Sequence, residues 1–465
     1  MQTAPTYQKV YLIGIGGIGM SALARYFRHI GCEVAGYDRT SSALTAQLES
    51  EGMSIHFEDN MEAISPSFFE DKNDVLVIYT PAVPKAHKEL NYFIDNGYAV
   101  KKRSEVLAML TANKKTIAVA GTHGKTSTSA LIVHMLETAN VPFFGFLGGI
   151  AANYNTNFFS PASGEANLIV VEADEYDRSF LRLHPDIAII TAIESDHLDI
   201  YGTLEELQKA YYAFADLVSE NGELILQENV PFPTGYKREM VRYGLSRKSA
   251  CSASNIRVEN GKYVFDANIN GHILSNLNLS VPGYHTIENS LAAMAAVWEL
   301  IEDKKTFYTA FESFRGVHRR FELVFDNGKT AYIDDYAHHP TEIATTIRTL
   351  RELYPGKHIT GIFQPHLFSR TQDLAKEFAE QLSKLDEAIL LPIYPAREEP
   401  IQGVTSAIIL EKISIDNKKI MAKEELLEYI SKNNFEVLAT IGAGDIDRLV
   451  APIKKSLEEQ YLIKA

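Results

Sequence analysis

Cysteine is nearly absent from this chain of 465 residues: only Cys32 and Cys251 occur, far apart and without CxxC spacing. That scarcity excludes a disulfide framework or a cysteine-built zinc ribbon, and it fits a reducing compartment. Long apolar runs are also missing. None approaches the ~20 residues that span a bilayer, so no membrane insertion is expected. The apolar stretch Tyr11–Ala24 ends in small residues, like the core of a signal peptide. Only Lys9 supplies positive charge ahead of it, however, and its glycines follow a phosphate-binding spacing. The expectation is a cytoplasmic protein. Positive charge is in deficit too. Lys and Arg number 45 against 60 Asp and Glu, a formal charge of −15. A nucleic-acid backbone would be repelled at long range, which excludes that class of partner. A small anionic substrate is still allowed, because a few local cations and backbone N–H groups can dominate one pocket.

What remains is a chain that is 46% apolar and 23% charged, the balance of a globular protein with ample core. Its length implies roughly three domains of ~100–200 residues. Strand-like apolar runs alternate with helical patterns, which predicts an α/β fold. Strands are expected at Lys9–Ile13, Glu33–Tyr37 and Val75–Tyr79, with a helix over Met20–Ile30. The chain turns polar at Thr111–Lys115, giving a first domain over residues 1–113. Strands Thr116–Ala120, Leu168–Val171, Ile187–Thr191 and Leu224–Gln227 then build a central domain over 114–324. Short alternating stretches with Asn-Gly and Gly-His turns between Asn255 and Ser280 suggest a small antiparallel sheet. A polar turn at Phe325–Lys329 opens a third domain, 325–465. There, strands Ala331–Ile333, His358–Phe363 and Ala388–Leu391 alternate with helices at Pro340–Leu353 and Thr371–Lys384.

Two glycine loops carry the chemistry. Gly121-Thr122-His123-Gly124-Lys125-Thr126-Ser127 follows a buried-looking strand and precedes a helix. Its glycines let backbone N–H groups wrap a polyphosphate; Lys125 adds a point charge and Thr126 a hydroxyl for Mg²⁺. The common P-loop spacing requires glycine at position 119, where this chain has Val119, so the loop is a shortened variant. The other loop is Gly14-Ile15-Gly16-Gly17-Ile18-Gly19, with Asp38 at the end of the next strand. That pattern fits the pyrophosphate of a dinucleotide or of a nucleotide sugar. Two loops imply two phosphorylated ligands.

Acidic residues follow the strand Leu168–Val171: Glu172, Asp174, Glu175 and Asp177. Glu172, first off the strand, is the expected Mg²⁺ ligand, since carboxylates at the C-terminal ends of parallel strands lie where such sheets bind ligands. His197, in Ser195-Asp196-His197-Leu198-Asp199, is a second metal candidate. His285 and Asn289 stand four apart at the start of an Ala-rich helix. His318-Arg319-Arg320 forms a compact cationic element suited to a phosphoryl group.

In this order, these segments resemble the Mur ligase family of peptidoglycan synthesis across essentially the whole chain. The resemblance rests on Gly121–Ser127, Glu172-Ala-Asp-Glu, Ser195–Asp199, His285–Asn289 and Arg319-Arg320-Phe321. Asp334-Asp335-Tyr336-Ala337-His338-His339-Pro340-Thr341-Glu342, Phe363-Gln364-Pro365-His366 and Gly14–Met20 resemble most closely the members that add L-alanine to UDP-N-acetylmuramate. It implies a Rossmann-like first domain for the UDP-sugar, a P-loop-type central domain for ATP, and a Rossmann-like third domain for the amino acid. The reaction implied is ATP-driven amide formation through an acyl phosphate, with ATP and Mg²⁺. The oligomeric state stays open between monomer and homodimer. By the same resemblance Gly14, Gly16, Gly17, Gly19 and Asp38 hold the UDP-sugar, and Glu172 and His197 hold magnesium. Asn289 contacts the adenine, Arg320 the phosphates, and Asp335 the ribose or its surroundings. Tyr336, His338 and Arg370 line the alanine side, with His338 the candidate base. The family's alanine-adding members commonly read Gln-Pro-His-Arg where this chain reads Gln364-Pro365-His366-Leu367. One basic contact is thus absent or supplied by Arg370. Some relatives carry a carbamoylated lysine in the helix containing Lys209, which reads here as a solvated helix lysine. Two neighbouring activities stay open: a ligase that recycles whole peptides onto the same sugar nucleotide, and a folylpolyglutamate-type ligase.

Overall fold

The computed structural model describes residues 7–462, apart from 163, 196, 197, 234, 237, 260 and 397. It divides into two compact units. One comprises Met1–Ile256, Val264–Asn278 and Ile287–Arg315; the other comprises Arg257–Tyr263, Leu279–Thr286 and Gly316–Ala465.

Uninterrupted apolar strands fix the first sheet. β1 (Lys9–Ile13), β2 (Glu33–Tyr37), β3 (Ser54–His56), β4 (Val75–Tyr79) and β5 (Ala99–Lys102) lie in the order β3-β2-β1-β4-β5. Every neighbouring pair is parallel. Val10 to Ile13 and Val75 to Ile78 are buried, as expected of strands covered on both faces. The chain steps outward from β1 to β3 and returns on the other side at β4. That reversal opens a crevice at the C-terminal ends of β1 and β4, where Gly14 begins its loop. Tyr11–Ala24 is therefore a core strand, its loop and half a helix.

The central sheet has ten strands. They are β6 (Lys115–Ala120), β7 (Phe144–Ala151), β8 (Thr156–Phe159), β9 (Leu168–Glu172), β10 (Ile187–Ile190), β11 (Glu223–Gln227), β12 (Met240–Gly244), β13 (Cys251–Glu259), β14 (Lys262–Ile269) and β15 (His272–Leu279). The order is β15-β14-β13-β12-β11-β10-β6-β9-β7-β8. It runs parallel from β7 to β13, and β8 closes one edge as an antiparallel hairpin with β7. The stretch expected to form a separate small sheet instead extends this one. Cys251 and Ser252 pair with Tyr243 and Gly244, so β13 continues the existing edge. The turn chemistry is as expected: Asn270 and Gly271 both take positive φ, +49° and +90°, the geometry of a two-residue hairpin turn.

The third sheet is β16 (Glu322–Asp326), β17 (Ala331–Asp335), β18 (Ile359–Phe363), β19 (Glu387–Leu390), β20 (Lys418–Ile420) and β21 (Val437–Ile441). Its order is β16-β17-β21-β18-β19-β20, parallel except for the β16–β17 hairpin. The single helix expected over Thr371–Lys384 is two, Phe368–Asp373 and Ala375–Leu382, because Leu374 leaves helical backbone at φ −114°, ψ 17°.

In the first unit the helix Ile18–His29 ties the first sheet to the second. Tyr26 packs its ring 5.6, 5.7 and 6.1 Å from Phe144, Phe146 and Phe158. Asn157 on β8 donates to Ile18 O at 2.6 Å and to Ser21 Oγ at 2.9 Å. Arg25 donates to Asn157 Oδ1 and pairs with Glu51 at 2.8 Å. Both faces of this seam therefore belong to one core. Among the described residues, no helix is long and apolar enough to cross a membrane.

On the other face of the first sheet lies a buried polar network. Tyr11 donates to Glu89 Oε2 at 2.7 Å and sits 2.7 Å from His56 Nε2, and the Asn60 amide donates to Glu89 Oε1 at 3.0 Å. Burial pushes the Glu89 carboxyl from its ordinary 4.5 up to about 7, against the pull of those two hydrogen bonds. Between pH 4.5 and about 7 the folded protein thus holds a proton that the unfolded chain has released, and stability from this group falls as pH rises. Glu89→Gln keeps an acceptor and cannot ionise. Urea denaturation should show this variant gaining on the wild type between pH 5 and pH 8, by on the order of 1 kcal/mol. A pH-independent difference would contradict the account.

Candidate active site

β6 delivers the central loop. Val119 is fully buried inside this strand, so the chain stays extended where a longer P-loop would already turn. The turn comes at Gly121, at φ +136°, where a Cβ would lie 2.0 Å from Thr191 Oγ1. Only glycine fits. Thr191, just past β10, donates its hydroxyl to the Ala120 and His123 carbonyls, and the Thr122 amide donates to Ala192 O at 3.0 Å. The loop is thereby strapped to the neighbouring strand end. Gly124, at φ +80°, starts the helix Lys125–Thr138, which has no side-chain cap and no acidic residue in its first turn. Its leading amides and positive dipole end suit an anion. Ser127 lies in that first turn. The Asn289 amide group overlies the loop, with Oδ1 2.9 Å from where a Gly124 Cβ would sit.

The side chains beneath the loop meet as a polar cluster. Thr126 Oγ1 donates to Glu172 Oε1 at 3.0 Å, and the Gly148 amide donates to Glu172 Oε2 at 2.8 Å. Burial raises the Glu172 carboxyl pKa against the opposing pull of Lys125 and these hydrogen bonds. A bound cation would relieve that cost, and the hydroxyl and carboxylate are the hard oxygen donors that Mg²⁺ takes. Lys125 Nζ donates to both Glu175 oxygens at 2.9 Å and to Gly121 O at 2.5 Å. Burial alone would lower the lysine pKa, but Glu175, Asp174 and Glu172 outweigh it and raise the value, so Lys125 stays charged. Sequence reasoning singled out Glu172 and passed over Glu175, whose place in the same acidic run was the available signal.

Glu175 opens a tightly wound segment, Tyr176–Arg182, in which Asp177 and Arg178 both take left-handed φ, +54° and +55°. Each such residue costs ~1 kcal/mol or more. Phe180, fully buried and stacked 5.0 Å from Phe214, holds the segment in place. His123 Nε2 lies 3.5 Å from Glu194 Oε2, and the Glu194 amide donates to Thr122 Oγ1. His197 lies outside the described residues. Lys209 is exposed and pairs with Glu206 at 2.6 Å, the solvated helix lysine expected.

The first-sheet loop is braced differently. Gly14, at φ +88°, donates its amide to Tyr37 O, and a Cβ there would meet Thr80 Cγ2 at 2.7 Å. The Gly16 amide donates to Asp38 Oδ2 at 2.8 Å, so the acid at the end of the next strand fixes the loop. Gly17 precedes the helix Ile18–His29, which has neither a side-chain cap nor an acid in its first turn. Arg103 lies against Gly19, with NH1 2.9 Å from its would-be Cβ, and pairs with Asp174 at 3.5 Å. No sequence pattern marked Arg103.

The second unit gathers the remaining candidates. The Arg320 guanidinium lies 4.7 Å over the Tyr336 ring and Arg319 lies 5.0 Å from it. Burial raises the Asp335 carboxyl to about 6, opposed by the Thr346 hydroxyl at 2.5 Å and by Arg320. His338 Nδ1 stands 3.1 Å from Tyr336 O and 3.2 Å from Glu342 Oε2. Its ring is 5.3 Å from Tyr336 and 6.0 Å from His366, which stacks on Tyr394 at 5.8 Å. Leu367, at φ +69°, leads into the helix Phe368–Asp373 that carries Arg370. Tyr336, His338 and His366 are therefore brought together, with Arg370 a turn along the adjoining helix.

Comparison with known proteins matches three stretches of the chain. Residues 9–115 match the Mur ligase family catalytic domain, 119–297 the Mur ligase middle domain, and 319–444 the Mur ligase glutamate ligase domain. The chain is 46% identical over 452 residues to a UDP-N-acetylmuramate–L-alanine ligase of Flavobacterium johnsoniae, covering 97% of this chain and 98% of that one. It is 46% identical over 455 residues to a ligase of the same name from Porphyromonas gingivalis, covering 97% and 99%. Among solved structures, the UDP-N-acetylmuramate–alanine ligase of Thermotoga maritima superposes with a TM-score of 0.81 at 28% identity, covering 98% of this chain and all of that one. A murein peptide ligase from Psychrobacter arcticus shares the fold at a TM-score of 0.70 and 21% identity, covering 96% and 99%. On three matched domains and near-full-length identity, the chain belongs to the Mur ligase family.

Proposed function

We propose that this protein is an ATP-dependent ligase that couples L-alanine to the lactyl carboxylate of UDP-N-acetylmuramate, in the cytoplasm, for peptidoglycan precursor synthesis. The observation that carries the reading is the cluster of Lys125, Thr126 and Glu172 under the Gly121–Ser127 loop, set in a chain 46% identical to ligases of that name. Free, buried Cys32 and Cys251 are in keeping with a reducing compartment. Segments 1–113, 114–324 and 325–465 take the sugar nucleotide, ATP and amino acid respectively; β16 straddles the second division.

A carboxylate does not condense with an amine unaided, because oxide is too poor a leaving group. The sugar-borne carboxylate oxygen attacks the γ-phosphorus of ATP, and ADP leaves. The alanine amine then attacks the acyl carbon, phosphate leaves with the bonding pair, and the nitrogen gives up a proton. Positioning and charge stabilisation carry most of the rate. Gly121, Thr122, His123, Gly124 and Ser127 wrap the triphosphate, and Lys125 neutralises charge on the γ-phosphoryl oxygens. Thr126 and Glu172, with His197, would hold Mg²⁺, which would offset phosphate charge as a hard Lewis acid. Asn289 contacts the adenine, Arg320 the phosphates and Asp335 the ribose. Gly14, Gly16, Gly17, Gly19 and Asp38 receive the UDP-sugar. Tyr336, His338 and Arg370 receive L-alanine, and His338 is the base that takes the ammonium proton. With Leu367 in place of a basic residue, Arg370 supplies the cation for the alanine carboxylate.

Phosphate release from MgATP should require both UDP-N-acetylmuramate and L-alanine; release driven equally by folate or tripeptide would redirect the assignment. Lys125→Ala should cut ligation by about 100-fold or more while the circular dichroism spectrum is retained. Near-normal turnover would refute its role. Gly148→Ala places a methyl 2.4–2.7 Å from the Glu172 carboxylate on a backbone that accepts alanine. The Mg²⁺ concentration for half-maximal activity should rise about 10–100-fold, with the melting temperature little changed.

A further inference from the structure

We infer that Glu175 is the positioning residue that holds Lys125 in place and, by competing with phosphate for its ammonium, keeps the nucleotide product from binding too tightly. This rests on the ATP reading above. An ammonium has three N–H donors. Here all three are taken: two by the oxygens of Glu175 at 2.9 Å and one by Gly121 O at 2.5 Å. The lysine is thus folded back onto its own loop and gripped from below by a carboxylate that is 0% exposed. Glu172 adds charge nearby, but its oxygens accept from Thr126 and the Gly148 amide, whereas the ammonium donates to Glu175 and Gly121.

The carboxylate cannot easily follow the lysine. The Glu175 carbonyl accepts from the Tyr201 hydroxyl at 2.6 Å and from the Arg178 amide at 3.0 Å. The segment that follows is pinned by Phe180 against Phe214 and Tyr211. Asp174, just before Glu175, pairs with Arg103 at 3.5 Å, and Asp177, within the segment, pairs with Lys102 at 3.7 Å. A phosphate arriving at the Gly121–Ser127 loop must therefore draw a donor away from Glu175 or Gly121. It also meets a fixed negative charge on the far side of the same ammonium. Net affinity is the difference between two ion pairings. That arrangement serves turnover, because binding shared equally by substrate and product raises no rate and slows release.

Removing the charge while keeping the shape tests this. MgADP titrations by calorimetry should show Glu175→Gln binding on the order of tenfold more tightly than wild type. Its kcat should fall and its KM for ATP should fall with it, since product release becomes limiting. A residue of merely structural importance would weaken binding instead. MgADP affinity unchanged or reduced in a folded Glu175→Gln protein would overturn the inference. Should that variant not fold, Glu175→Asp carries the same test: a carboxylate one methylene shorter loosens the two-point grip, so ADP should bind several-fold more tightly. Equal or weaker binding there overturns it as well. Wild-type protein that binds no MgADP at all would instead sink the ATP reading itself.

Discussion

A charged ammonium packed under a glycine loop is costly unless carboxylates offset the loss of water. The arrangement around Lys125 depends on the order of three strands. β6 lies between β9 and β10, all parallel, so their C-terminal ends deliver Gly121, Glu172 and Thr191 side by side. In the ladder Val119 faces Glu172, which places the acid just ahead of the loop's turn. A slip of one residue in β9 would send Glu172 to the other face of the sheet and leave Thr126 without its partner. The hydrophobic runs of these strands therefore set the chemistry, because burial of their apolar side chains fixes their register.

The two glycine loops solve the same problem with different braces. Around Gly121 the restraint is a hydroxyl, Thr191, bonded to carbonyls on either side of the turn. Around Gly16 it is a carboxylate, Asp38, bonded to a loop amide. In both cases an uncapped helix follows directly. The first loop's helix is further held by Asn157 and by the aromatic seam of Tyr26 with Phe144, Phe146 and Phe158. Within this unit the Gly14–Gly19 loop thus stands on the same core as the strand β7, whose Gly148 amide donates to Glu172.

Much of this was legible from local pattern. β1, β2 and β4 fall where apolar runs between glycine and charge place them, and the helix Pro340–Leu353 begins at its proline as a first-turn proline should. β21 was not legible. Its residues Val437–Ile441 form an apolar run as long as β1, but their place between β17 and β18, which marks them as a central strand, is a property of the sheet order and not of the local pattern. The strands β13–β15 were read correctly as turn-linked and wrongly as a separate sheet, because sheet membership is set by the exposed edge of β12. At the site, residue type and spacing pointed to Lys125, Thr126 and Glu172. The roles of Glu175 and Arg103 depend on contacts 50 and 71 residues away in the chain, which no local pattern carries.

The overall charge sets a last constraint. A protein with a formal charge of −15 that takes phosphorylated ligands cannot rely on long-range attraction, which salt screens beyond ~8–10 Å in any case. Capture must come from groups at contact distance, namely backbone amides at uncapped helix starts and a few held cations. Such cations must be kept in place without ligand, and acidic neighbours do this at the cost of weakening the grip on phosphate. The same carboxylates that make the resting site stable therefore moderate its affinity.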